Sequence, residues 1–147
     1  MKTLSTRYQS SVSTLLAAYQ TGTLGHGGEG NCAITHLLDG QRDWMDVINP
    51  ASGHIDHWNK YNHPRQFAKG LQLINNSPFS VQEIIKLEAL FEGRVKDPQG
   101  HLISTLDEDN DPDATLGLGA VITGLEEIEF AQELSPIVLQ FPEAEMV

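Results

Sequence analysis

The sequence predicts a mainly α fold, or an α+β fold with segregated elements. It holds about five helices around one core, with a small β-hairpin near residues 44–58. Three observations predict this. Apolar residues recur at three- and four-residue spacing in several segments. Caps and breakers bracket those segments. One pair of short runs instead flanks a Pro/Gly turn. At 147 residues and 39 % hydrophobic content, the chain suits a single globular domain over 1–147.

Each element has its own signal. Over residues 3–20, Leu4, Tyr8, Val12, Leu15, Leu16 and Tyr19 form one helical stripe, which Thr21-Gly22 ends. A Gly-rich loop at 25–30 follows. Asn31 is placed to cap a short helix through Leu38, with Asp39-Gly40 as its stop. Two short runs, Asp43–Ile48 and His54–Trp58, surround Asn49-Pro50-Ala51-Ser52-Gly53 and predict the hairpin. Pro64 opens a helix to about Ile74. Ser80-Val81-Gln82-Glu83 is a capping-box pattern ahead of Ile84, Ile85, Leu87, Leu90 and Phe91, predicting a helix over 80–93. Residues 94–112 read as polar turns. A last helix over 114–134 carries Leu118, Val121, Ile122, Leu125 and Ile128 on one face.

Charge is unevenly distributed. The formal net charge is −11. Residues 1–79 hold five acids and six bases, whereas residues 80–147 hold fifteen acids and three bases. Five of the six histidines lie in the first half. Such an acidic chain disfavours direct nucleic-acid binding, because it repels phosphates. A single cysteine excludes an intramolecular disulfide and fits a reducing compartment. No apolar run approaches the ~20 residues that span a bilayer, and none after Lys2 suits a signal peptide. These features predict a cytoplasmic protein with no membrane association.

Cys32 is the most reactive residue type present. At a helix start, unpaired N–H groups and the helix dipole favour thiolate. A hydrolase would use Cys32 as nucleophile, His57 as base and Asp56 as orienter, with His101 and Asn59 as further candidates. A zinc module would use Cys32 and His36, four apart on one helix face, with His57. The preferred reading is a buried cysteine beside Ala33, Ile34 and Leu37, since free cysteine is among the most buried residue types. In the run Asp107–Asp113, carboxylates recur in the EF-hand alternation. Pro112 occupies the glycine position and Leu118 that of the bidentate Glu, which rejects an EF-hand.

Glu29-Gly30-Asn31-Cys32 resembles the Asp-Gly-Asn-Cys nucleophile segment of ovarian-tumour-type deubiquitinating proteases, with Ala33 and Ile34 where that family has aromatic residues. Asn31-Cys32-Ala33-Ile34-Thr35-His36-Leu37-Leu38 resembles a group of small bacterial and phage-type proteins that open a helix with Cys-Ala-[Ile/Val]-Gly-x-[Leu/Ile]. Ile74-Asn75-Asn76 and Phe79–Ile84 extend that similarity to about half the chain. Thr35 stands where that group has glycine. The group implies no activity, cofactor or site residue.

The function expected is that of a non-enzymatic binding or accessory protein. Its acidic C-terminal half, through Glu126, Glu127, Glu129 and Glu133, would meet a basic protein partner. The alternatives are the Cys32 hydrolase and the Cys/His zinc module. No cofactor other than zinc is indicated.

Overall fold

The computed structural model describes residues 5–26 and 31–140, with side chains as far as residue 131. The architecture is mainly helical with one small antiparallel hairpin. The helices are α1 (Thr6–Gln20), α2 (Ala33–Leu37), α3 (His57–Asn62), α4 (Pro64–Asn76), α5 (Val81–Glu92) and α6 (Thr115–Gln140). Strands β1 (Val95–Lys96) and β2 (Leu102–Ile103) pair between α5 and α6.

Local chemistry sets most boundaries. Ser5 caps α1 by accepting from the Tyr8 N–H. The capping box of α5 is complete: Ser80 accepts from the Glu83 N–H, and the Glu83 side chain accepts from the Ser80 N–H. Gly93 closes α5 in the left-handed region at φ 60°. Asp39 and Gly40, both at positive φ, stop the chain after α2. Helix α2 begins one residue later than Asn31 predicts. Cys32 is its N-cap, and its side chain makes no capping bond.

The hairpin expected at 44–58 is not where the ladder forms. That segment contains a 3₁₀ turn at Asp43–Asp46, one bridge between Ile48 and Ile55, and the start of α3. The reason is Asp56, whose carboxylate accepts the Asn59 N–H and converts the would-be second strand into a helix start. The ladder lies instead at 95–103, within the segment read as turns. Helix α6 also runs through Pro136 to Gln140. Proline removes one backbone bond and bends a helix, and here it falls within an element already more than five turns long.

One apolar cluster draws on α1, α2, α4, α5 and α6. Leu15, Ile34, Trp44, Ile74, Ile84, Leu87, Phe91 and Val121 are among its fully buried members. Each such side chain contributes about 1.5–3 kcal/mol on removal from water. Close backbone approach needs glycine at two positions. A Cβ on Gly70 of α4 would collide with the Asp43 carbonyl, and one on Gly117 of α6 would press on the Phe91 ring at 2.8 Å. A buried ion pair ties the 49–53 turn to this frame. Arg94 binds Glu88 through two bonds of 3.1 Å and also donates to the Pro50 and Ala51 carbonyls.

Candidate functional site

Cys32 stands half-buried at the head of α2. Its Sγ lies 3.3 Å from the Thr35 hydroxyl, which also accepts from the Trp44 indole at 3.1 Å. Burial pushes the thiol pKa up and outweighs the hydrogen bonds from Thr35 and the Ile34 backbone. That is the reverse of what a nucleophile requires. Two of the expected partners are engaged elsewhere. His36 Nε2 donates to the Thr23 carbonyl at 2.9 Å, and Asp56 caps α3. His57 is exposed as the first residue of α3. Among the described residues, no group of three or more His, Cys, Asp or Glu side chains is arranged to hold a metal ion. Glu29 and Gly30 of the protease-like segment lie outside the described residues.

The side chain of this stretch that is built into a buried polar contact is His26. Its Nε2 donates to Asp111 Oδ2 at 2.8 Å, and its ring stacks on Phe91 with centroids 4.4 Å apart. Its Nδ1 lies 3.5 Å from a Glu92 carboxylate oxygen. Asp111 also accepts the Leu116 and Gly117 N–H groups at 2.9 Å, so it caps α6 while holding His26. Burial alone would raise the Asp111 carboxyl. The bonds from His26, Leu116 and Gly117 overcome it and hold the group below the usual carboxylate range. This cap joins the 23–26 loop, α5 and α6. Aspartates before the last helix are the sequence signal for the cap; nothing local points to its histidine partner.

The acids expected to meet a partner divide by helix phase. Glu129 is only 4 % exposed and accepts the Ser5 N–H at 2.5 Å and the Ser5 hydroxyl at 2.7 Å, which hold its carboxyl below the usual range. It anchors the start of α1 and does not face outward. Glu126 and Glu127 do face outward. Glu127 pairs with Lys86 at 2.7 Å, and Glu126 accepts weakly from the Tyr8 hydroxyl at 3.4 Å. The Glu133 side chain lies outside the described residues. The exposed stripe of α6 is Leu116, Gly119, Thr123, Glu126, Glu127 and Phe130. Leu116 is 59 % and Phe130 52 % exposed, and α6 contains no Lys or Arg. At its N-terminal end, a cleft of about 460 Å³ is lined by Glu92, Asp107, Glu108 and Asp109 beside His26.

A second surface was not legible in the sequence. Helix α3 buries none of its residues. Trp58 is 65 % and Tyr61 82 % exposed, and His63 sits against the Trp58 ring at 5.3 Å. Lys60 and Arg65 are also exposed, and Asp46 lies against the same helix, its Oδ1 3.5 Å from the Asn59 amide nitrogen. A strand reading of His54–Trp58 hides this face; a helical reading from Asp56 reveals it.

A groove of about 500 Å³ also runs between α1 and the α4–α5 turn, lined by residues including Arg7, Ser10, Thr14, Leu73 and Phe79. Arg7 is bound into its wall. The Nη1 donates to the Pro78 carbonyl and Glu83, and the guanidinium lies over Phe79 at 5.2 Å. The groove offers shape and hydroxyls, and Arg7 Nη2 is buried there without a hydrogen-bond partner among the described residues, the Nη1 alone being engaged. Among the described residues, no helix is long and apolar enough to cross a membrane. Comparison of the chain with protein-family models, with curated proteins and with solved structures finds no match.

Proposed function

We propose that this is a non-enzymatic binding protein that meets a basic protein partner through the outward stripe of α6. The observation that carries the reading is the composition of that stripe. Two large apolar side chains stand exposed on a helix whose only formal charges are acidic. Exposed apolar residues framed by charge are the usual make-up of a contact surface. The acids steer a cationic partner and select against anionic ones. The acidic cleft beside the start of α6 extends the same field.

The test uses a fluorescently labelled amphipathic Lys/Leu peptide as probe, titrated with the folded protein and followed by anisotropy. Binding is expected to weaken on adding salt. The double variant Glu126→Lys/Glu127→Lys and the single variant Phe130→Ala are each expected to lose at least tenfold in affinity. Unchanged affinity in both variants contradicts the reading.

A further inference from the structure

We infer that the groove between α1 and the α4–α5 turn is a binding site for an uncharged small molecule, one with an apolar body and a hydrogen-bond acceptor such as an amide carbonyl. The inference does not depend on the reading of α6, no described residue of which lines the groove. It starts from the phase of α1. The core-facing line of that helix runs through Ser11, Leu15 and Ala18, its buried residues. Continued one turn back, the line reaches Arg7. It is apolar where α1 meets the core and polar where the groove opens. Ser10 and Thr14 flank it, so positions 7, 10, 11 and 14 make one hydrogen-bonding stripe along the groove wall.

The protein leaves that stripe unsatisfied. A hydroxyl on a helix commonly bonds the carbonyl four residues back. Thr21 and Thr123 do so here, at 2.9 and 3.0 Å. Ser10, Ser11 and Thr14 make no such bond. Ser11 decides the matter. It is only 6 % exposed, it lines the groove, and its hydroxyl has no hydrogen-bond partner among the described residues. One turn earlier, Arg7 Nη2 is buried and equally unpartnered. Buried polar groups are nearly always hydrogen-bonded, so two orphans on adjacent turns of one wall point to an acceptor brought in from outside.

The rest of the groove sets the class of that molecule. Leu37, Leu73 and Phe79 supply apolar surface for its body. The volume of about 500 Å³ falls within the ~300–1,000 Å³ of small-molecule sites. Its charge follows from the acids nearby. Arg7 Nη1 lies 3.1 Å from Glu83, so the guanidinium charge is already met, and Asp39 lines the same groove. His36, also on the rim, is committed to the Thr23 carbonyl. An anion would meet two carboxylates against one cation, whereas an uncharged acceptor takes the free donors without that repulsion.

Titration of the full chain with N-phenethylacetamide, followed by amide chemical shifts, tests the inference. A fragment of this size is expected to saturate at roughly millimolar concentration. The shifts are expected to centre on Ser10, Ser11, Thr14, Leu73 and Phe79. The anion 3-phenylpropionate, which carries a similar ring on a carboxylate, is expected to bind more weakly. Ser11→Ala is expected to weaken the amide about fivefold, the worth of one hydrogen bond. Alanine is the better helix former, so this variant keeps the fold. Thr14→Trp, at an exposed position, sets a ring across the groove and is expected to abolish the shifts. Far-ultraviolet circular dichroism verifies the fold of both. Absence of saturable shifts with either probe means that the groove holds solvent only, and overturns the inference. So do shifts centred away from the groove, a carboxylate that binds as tightly as the amide, or amide binding unchanged in either variant. None of these results bears on the Lys/Leu peptide, which tests α6 separately.

Discussion

Cys32 and His26 sit on the same stretch of chain and take opposite roles from what their chemistry suggests. A cysteine capping a helix has the dipole in its favour, but burial against Thr35 and the core outweighs it. Its alkylation by iodoacetamide is therefore expected to rise with a midpoint above the ~8.5 of a free thiol. A midpoint at or below that value would show an activated thiolate. His26 instead completes the α6 cap with Asp111. The sign of the pH effect follows from the lowered Asp111 carboxyl. Its stabilisation is complete above the ordinary carboxylate range, near pH 4, and is lost as pH falls through the lower folded value. Asp111→Asn is expected to cost about 1.5–3 kcal/mol at pH 7, the worth of hydrogen bonds to a buried charge. Its deficit should shrink toward pH 3. Urea unfolding at the two pH values measures this, and an equal deficit at both contradicts it. An aspartate cap was legible because Asp111 and Asp113 stand just before an apolar-periodic run. The His26 partner was not, since 85 residues separate the pair.

At the scale of elements, periodicity identified the long helices, cap and stop signals identified the short α2, and α3 was missed. The α5 capping box and apolar stripe were legible because each bond is local in sequence. Helix α3 was not, because one turn and a half carries too little periodicity to oppose a strand reading, and its cap decided the matter. The β1–β2 ladder is two residues long on each side and carries no alternation to detect. Glycines show the same limit. Gly117, Gly119 and Gly124 all suggest close helix packing, yet a Cβ at Gly119 meets nothing within 4 Å, while one at Gly124 meets Leu90 and Leu87. The helix glycines therefore divide. Gly119→Ala is expected to raise stability by about 1 kcal/mol, the helix-propensity gain. Gly70→Ala drives a methyl into the Asp43 carbonyl and is expected to cost about 1–3 kcal/mol, because backbone cannot swing away as a side chain can. Thermal melts of the two variants should shift in opposite directions; a gain in Gly70→Ala would contradict the packing of α4 on the 3₁₀ turn.

Over the whole molecule, charge rather than a pocket organises the surface. The acidic half was readable from composition, but its outward and inward members were not separated there. Helical phase explains the division. Glu129 lies four residues after Leu125 and one after Ile128, on the buried side, while Glu126 and Glu127 turn outward with Leu116 and Phe130. The exposed aromatic face on α3, with Trp58 and Tyr61, is a second surface on an element that packs on α4 rather than on α6.

The most direct measurement is a map of amide chemical-shift changes in the isotope-labelled protein on adding the Lys/Leu peptide. The account predicts changes concentrated at Leu116, Gly119, Thr123, Glu126, Glu127 and Phe130. Changes centred instead on Cys32 and His57, or on the Arg7 groove, would contradict it.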